Sequence, residues 1–257
     1  MIELRDLSFS YHGGPPVLQH LDFRGGDGQL IAVLGPNGVG KSTLFKCILG
    51  FYRDYGGEIL FNGREVRTLS RRELASEVAY IPQSGEPVFN YTVEDTVLMG
   101  TTASLHALRS PGQQQKQAVE KALELLHIGH LRYRGIGQIS GGERQLVLIA
   151  RAMVQRARLI VMDEPTANLD FGNQYLVLRT IRELTEQGYS ILMSTHNPDH
   201  ALRFSTHVLA MKKDGTYVTG PSLQVLDEAL ISGIYGLQVK LGEMEGPEGP
   251  VRYCIPV

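Results

Sequence analysis

A glycine-rich segment at positions 35–43 has the residue types and spacing of a phosphate-binding loop. It fits G-x-x-x-x-G-K-[ST] between an apolar run and a helical pattern. Glycines let successive backbone N–H groups turn toward phosphate oxygens, and the start of the next helix adds a positive dipole end. Lys41 is expected to reach the β- and γ-phosphates of a nucleotide, and Ser42 to coordinate Mg²⁺. The predicted nucleotide-binding residues are Gly35, Pro36, Asn37, Gly38, Val39, Gly40, Lys41, Ser42 and Thr43.

Two carboxylates directly follow a second apolar run, which spans residues 159–162. Charged side chains directly after a buried strand are costly to bury without a function. In nucleoside triphosphatases with such a loop, an acid at this strand end helps to hold Mg²⁺, and Asp163 takes that position. Glu164 points to the other side of the chain, where it can polarise an attacking water as a general base. The alternative is a solvated strand end.

A third candidate site precedes an amphipathic pattern about 100 residues after the loop. Ser140 is suited to cap a helix, and Gly141 and Gly142 leave backbone N–H groups open. Such a helix start can bind an anion, and a plain helix cap explains the same residues. The residues alone leave both interpretations open.

The elements that must position these groups follow an α/β pattern. A continuous apolar run at 30–34 is typical of a strand buried on both faces. Further strands are predicted at 2–11, 17–23, 58–61, 159–162 and 190–194, with helices at 41–49 and 173–187.

The middle and the tail of the chain depart from this α/β pattern. Residues 93–130 are predicted to be helical, and the last helix of this region is predicted to begin near Gly142. The tail from Gly220 predicts a short helix at about 222–231, weak strands and an exposed loop at 243–250. Apolar stripes are predicted at Ala118, Ala122, Leu125 and Leu126, and at Leu146, Ile149, Ala150 and Met153.

Composition limits the classes of function. The chain has 257 residues and a net charge of −2, from 25 Lys+Arg and 27 Asp+Glu, so it lacks the basic excess of a protein held mainly on nucleic-acid phosphates. Apolar runs fall far short of the ~20 residues that span a bilayer. Cys47 and Cys254 have no metal-ligand spacing. A local basic patch fits either a solvated mixed face or a nucleic-acid groove; its residues are Arg64, Arg67, Arg71 and Arg72.

Segments 35–43, 140–145 and 162–165, in this order, resemble the ATP-binding cassette (ABC) ATPases. Ile139-Ser-Gly-Gly-Glu-Arg-Gln145 is similar to that family's signature, usually LSGGQ, with Ile for Leu and Glu for Gln. The resemblance covers essentially the whole chain. It implies an α/β P-loop cassette with a RecA-like core, an antiparallel β subdomain and a helical subdomain. The implied domain division is 1–84 with 156–220 as the core, 85–155 as the helical part and 221–257 as an extension.

The resemblance also implies roles for single residues. Gln83 matches a glutamine that contacts Mg²⁺ or the attacking water, although a polar loop residue is the simpler interpretation. Asp170 matches the acid of a loop that crosses a dimer interface, and Asn168 stands where the family often has Ala or Gly. His196 matches a histidine that contacts the γ-phosphate. Tyr11 matches an aromatic that stacks on adenine, with a core aromatic as the alternative.

His196 and His200 have a spacing that can hold a metal on a helix. Asn197-Pro198 instead predicts a helix that begins after His196, with Asn197 as the cap. That start would leave His196 outside the helix.

The implied cofactors are ATP and Mg²⁺. The implied partners are a second copy, paired head to tail through Ser140, Gly141 and Gly142, two transmembrane permease subunits and, indirectly, a substrate-binding protein, with no nucleic acid. The expected location is the cytoplasmic face of the cell membrane. Segments 68–75, 78–83, 92–100, 195–201 and 234–239 are similar to the branch that imports iron siderophores, haem or vitamin B12. The alternatives are an importer of oxyanions or metals, an exporter, and a soluble ATPase acting on DNA or ribosomes.

Overall fold

The computed structural model describes residues 2–83, 91–104, 111–246 and 249–257. The chain divides into two compact units, one formed by Met1–Leu69 with Leu184–Val257 and the other by Ser70–Glu183. The three-part division expected from the sequence has other boundaries and stays a prediction. Among the described residues, no helix combines the length and the apolar character that a membrane span requires.

Strands occupy both ends of the chain and alternate with helices between them. In chain order they are β1 (Ile2–Ser10), β2 (Pro16–Gly25), β3 (Leu30–Leu34), β4 (Gly56–Phe61), β5 (Arg64–Glu65), β6 (Val78–Ile81), β7 (Leu159–Met162), β8 (Ser190–Thr195), β9 (His207–Met211), β10 (Tyr217–Pro221), β11 (Val239–Gly246) and β12 (Gly249–Pro256).

Apart from α8, which follows Pro221, the helices begin after polar caps or glycine. In chain order they are α1 (Lys41–Ile48), α2 (Arg71–Glu77), α3 (Val93–Leu98), α4 (Gln113–Leu125), α5 (Gly141–Gln155), α6 (Phe171–Glu186), α7 (Pro198–Phe204), α8 (Ser222–Val225) and α9 (Glu228–Tyr235).

The first unit contains an antiparallel sheet of order β2–β1–β4–β5. At its margin the guanidinium of Arg67 lies 4.6 Å from the centre of the Tyr55 ring and donates to Glu65 at 2.9 Å. One member of the basic patch therefore has a structural role in this sheet.

The same unit contains a sheet in which β3 lies parallel to both β8 and β9, and β10 pairs antiparallel with β9. All five residues of β3 are buried, as the sequence predicted for this strand. The carboxyl ends of β3 and β8 lead directly into Gly35 and His196. Because ligands of open parallel sheets bind beyond the carboxyl ends of strands, this edge is where a site is expected.

The second unit combines the parallel pair β6–β7 with packed helices. The predicted stripe on α5 is confirmed, since Leu146, Ile149, Ala150 and Met153 are all buried. The predicted stripe on α4 is wrong in part. Leu125 is 42% exposed and Ala118 is half-buried. The buried face is rotated to an i, i+3, i+4, i+7 set, which the apolar residues of this segment also fit; its members are Val119, Ala122, Leu123 and Leu126.

The tail departs from the sequence prediction in two places. The helix expected at 222–231 is two helices, because Asp227 caps α9 by accepting the Leu230 N–H at 2.7 Å. Of the loop expected at 243–250, residues 243–246 and 249–250 belong to the hairpin β11–β12, paired from Val239↔Pro256 to Gly246↔Gly249, and residues 247–248 lie outside the described residues. The segment is rich in Glu, Gly and Pro, so its composition predicts a loop, whereas its backbone is paired as a sheet.

Candidate nucleotide-binding site

The phosphate-binding loop leaves β3 through backbone conformations that favour glycine. The Gly35 N–H donates to the Thr195 carbonyl at 3.3 Å, which ties the loop to the end of β8. Gly38 and Gly40 have φ angles of 81° and 111°, a region that L side chains rarely adopt. A Cβ at Gly40 would also lie 3.3 Å from the Val17 carbonyl oxygen. The glycines are therefore required by the shape of the loop.

Lys41 begins α1 and turns its side chain back into the loop. It is 5% exposed, and its Nζ donates to the carbonyls of Gly35 at 2.7 Å and Pro36 at 3.1 Å. A buried ammonium requires such acceptors. The loop therefore combines a fixed positive charge with the N–H groups at the start of α1, which is the donor set that a nucleotide phosphate needs.

Tyr11 lies beside the helix that follows the loop. Its hydroxyl is 2.8 Å from the Thr43 Oγ1, and its ring packs edge-on against Phe9 and Tyr52 with centroids 5.1 and 5.6 Å away. The side chain is 41% exposed, so Tyr11 is not a core aromatic. Stacking on adenine stays a prediction for it.

His196 follows β8 directly and lies outside the helix. Asn197 caps α7 by accepting the Asp199 N–H at 2.9 Å, and Pro198 is the first helical residue, as the sequence predicted. The His196 carbonyl accepts a 2.7 Å hydrogen bond from the Tyr235 hydroxyl. The exposed His196 side chain is thus carried on a backbone turn that is held at both ends.

His200 supports this turn from inside α7. Thr195 Oγ1 accepts the Asn197 N–H at 3.1 Å and lies 3.2 Å from His200 Nδ1. Since the threonine oxygen is an acceptor there, its own hydrogen is available to Nδ1. Burial, followed by the nearby charges of His196 and Arg203, lowers the pKa of His200 to about 4. At neutral pH His200 is therefore uncharged.

In the second unit, Gln83 and Glu164 are brought together beyond the ends of β6 and β7. Gln83 Nε2 lies 3.5 Å from Glu164 Oε2. Asp163 is 7% exposed, and its N–H donates to the Ile81 carbonyl at 2.9 Å. Glu164 has a φ of 44°, a conformation that costs an L residue about 1–3 kcal/mol and is concentrated at functional sites.

Ser140 caps α5, as the sequence predicted. Its Oγ accepts the Glu143 N–H at 3.3 Å, and the Glu143 carboxylate accepts the Ser140 N–H at 2.7 Å. These bonds to Ser140 lower the pKa of Glu143. The family usually has Gln at this position, and the reciprocal cap explains how Glu is accommodated, since its charge lies at a helix N-terminus.

The start of α5 lies against the loop that carries Asp170. A Cβ at Gly142 would overlap the side chain of Asn173, which donates to Asp170 Oδ2 at 2.7 Å. Asn168 has a φ of 60°, which explains its presence, because Asn tolerates this conformation far better than Ala. Ser140, Gly142 and Asp170 therefore form one cluster.

The structure thus collects the predicted residues into three groups. The first unit holds the loop 35–43 with Tyr11 and His196, and the second holds Gln83 with Asp163 and Glu164, and the Ser140 cluster. Asn173 and Tyr235 were missed by sequence reasoning, because each acts through a contact with a residue distant in sequence or in another element.

Comparison with known proteins gives the same assignment. The family model for ABC transporters matches residues 18–167. An uncharacterised ABC transporter ATP-binding protein of Haemophilus influenzae is 38% identical over 91% of this chain and 89% of its own length. The hemin import ATP-binding protein HmuV of Chelativorans sp. is 34% identical over 100% of this chain and 98% of its own length. The molybdate import ATP-binding protein MolC of Haemophilus influenzae is 30% identical over 100% of this chain and 96% of its own length.

Among solved structures, an inward-facing transporter assigned to the metal-chelate type of ABC transporter superposes with a TM-score of 0.88. It is 30% identical and covers 100% of this chain and 96% of that one. The chain belongs to the ABC transporter family. It is an ATP-binding subunit, and its ATPase activity is coupled to transport.

The lowered pKa of His200 predicts a pH dependence of stability. Its pKa is about 4 in the folded chain against an ordinary 6.5, so the unfolded chain binds the proton first as pH falls. The contribution is fully present above about pH 6.5 and is lost toward pH 4. At 1.36 kcal/mol per pKa unit, the loss reaches at most about 3 kcal/mol.

Urea unfolding between pH 7.5 and 4.5 measures this effect. His200→Asn keeps an acceptor near Thr195 and should lose stability less steeply than the wild type as pH falls. His12→Asn, at an exposed histidine, should keep the wild-type slope. Parallel slopes for the wild type and His200→Asn would contradict the assignment.

Proposed function

We propose that this chain is the ATP-hydrolysing subunit of an importer of metal chelates such as iron siderophores, haem or cobalamin. The observation that carries the ATPase part is Lys41, buried inside a glycine loop at the head of α1. The substrate class is supported by the hemin import relative and by the metal-chelate type structure. The molybdate import relative favours a second candidate, an oxyanion importer.

In this proposal each group acts on MgATP through its own chemistry. Lys41 and the N–H groups of the loop bind the β- and γ-phosphates, while Ser42 and Asp163 hold Mg²⁺. Bound Mg²⁺ neutralises charge on the phosphate oxygens. Tyr11 stacks on the adenine, and the His196 side chain contacts the γ-phosphate.

Glu164 is the proposed general base. Its carboxylate takes a proton from the water that attacks the γ-phosphorus, and the bond to the β-phosphate oxygen breaks. Gln83, whose amide lies 3.5 Å from the Glu164 carboxylate, orients that carboxylate and the water. The φ of 44° at Glu164 supports this role, because a strained backbone is retained where a side chain must point in a defined direction.

The Ser140 cluster is the proposed contact with a second copy. Ser140, Gly141 and Gly142 face the ATP bound by the partner's loop, with Asp170 at the same interface. ATP then joins the two copies, and hydrolysis releases them. This motion drives two permease subunits at the cytoplasmic face of the membrane, supplied by a substrate-binding protein. The surface at about 83–100 is proposed to receive a permease helix; residues 84–90 of it lie outside the described residues.

Glu164→Gln tests the chemical step. The substitution keeps the size of the side chain and removes the base, so ATP turnover should fall by about 10²–10⁴-fold. Nucleotide binding should persist, because Lys41 and Ser42 are unchanged, and the ATP-bound dimer should live longer in gel filtration. Glu183→Gln, at an exposed carboxylate on α6, is the control and should hydrolyse ATP like the wild type. Wild-type turnover by Glu164→Gln would place the base elsewhere.

The substrate class is tested with the permease that co-purifies with the chain. ATP turnover of that complex with a candidate binding protein should rise on addition of haem, a ferric siderophore or cobalamin. Molybdate should leave the basal rate unchanged. Stimulation by molybdate alone would replace the chelate assignment with the oxyanion one and leave the ATPase assignment intact.

A further inference from the structure

The turn that carries His196 is held by two segments from the end of the chain. The hydroxyl of Tyr235, the last residue of α9, donates to the His196 carbonyl at 2.7 Å. The backbone N–H of Cys254, on β12, donates to Asp199 Oδ1 at 2.7 Å in the first turn of α7. These contacts join the C-terminal segment to both ends of the turn formed by residues 196–199.

Tyr235 is itself fixed in place. Ile231 and Ile234, on the inner face of α9, are buried in the cluster that contains Leu34, the residue before the phosphate-binding loop. Gly236 ends the helix in a left-handed conformation with a φ of 69°. Burial raises the pKa of Tyr235, so its hydroxyl stays protonated and remains a donor. The Tyr235 hydroxyl therefore donates its proton from a fixed position.

We infer that Tyr235 is a positioning residue for His196 and thereby couples the C-terminal segment to ATP hydrolysis. A peptide carbonyl held by a hydrogen bond fixes the orientation of its own residue, and with it the direction of the Cα–Cβ bond. His196 has no helix to orient it, since α7 begins two residues later. Without the Tyr235 hydroxyl, the His196 side chain samples orientations that miss the γ-phosphate. This inference rests on the proposed contact between His196 and the γ-phosphate.

The chain offers a matched control for the loss of one hydroxyl. Tyr217 is also in the first unit, and its hydroxyl donates to the carbonyl of another histidine, His20, at 3.0 Å. It also accepts the Asp22 N–H at 2.7 Å, so its removal is at least as costly to the fold. Tyr217→Phe therefore removes the same kind of bond from strand β2, which has no proposed role in hydrolysis.

The test compares Tyr235→Phe, Tyr217→Phe and the wild type as purified full chains. Tyr235→Phe should lower kcat for ATP about fivefold, the effect of losing one ordinary hydrogen bond. Its KM for ATP should stay within about twofold of the wild-type value, because the loop 35–43 is untouched. Tyr217→Phe should keep the wild-type kcat. Thermal unfolding shows whether the two variants lose similar stability, so that stability alone does not explain the difference.

A double-mutant cycle with His196→Ala distinguishes a positioning role of Tyr235 from a general structural role. In the His196→Ala background, Tyr235→Phe should change the residual kcat by less than about 1.5-fold, because its effect passes through the missing imidazole. A further fivefold loss there, or a wild-type kcat for Tyr235→Phe alone, overturns the inference. Wild-type turnover by His196→Ala overturns the proposed role of His196 as well, which distinguishes the two failures.

Discussion

The site depends on a buried positive charge held inside a turn of backbone. Lys41 can lie in the loop only because the carbonyls of Gly35 and Pro36 accept its protons, and the loop can curl around it only because Gly38 and Gly40 have positive φ. The fully buried β3 fixes where that turn begins. The apolar strand, the glycine turn and the start of the helix therefore depend on one another, and a change in any of them alters the other two.

In the second unit, a negative charge and the N–H groups of a helix start are likewise held by local backbone structure. Glu164 lies beyond the end of β7 with a φ of 44°, while the start of α5 is stabilised by the reciprocal cap of Ser140 and Glu143. In both places a predicted site residue lies at the end of a strand or at the start of a helix. Asn173, wedged against Gly142, joins the cap to the Asp170 loop.

Sequence reasoning succeeded where the determinants are local. The bounds of β3, the cap at Ser140 and the start of α7 after Asn197 depend on residues within four positions, and the structure confirms each. It failed where two patterns fit equally, as on α4, and where pairing overrides composition, as in the hairpin β11–β12. The contact of Tyr235 with His196 spans 39 positions, and nothing near either residue indicates the other.

We propose that each ATP is shared between the Lys41 loop of one copy and the Ser140 cluster of the other. Mixing Lys41→Ala chains with Ser140→Arg chains tests it directly, since each variant alone lacks a complete site. A mixed head-to-tail dimer contains one intact site, formed by Lys41 of the second variant and Ser140 of the first. The mixture should hydrolyse ATP well above the sum of the separate variants. Activity no greater than that sum, from well-folded chains that dimerise, would contradict a shared site.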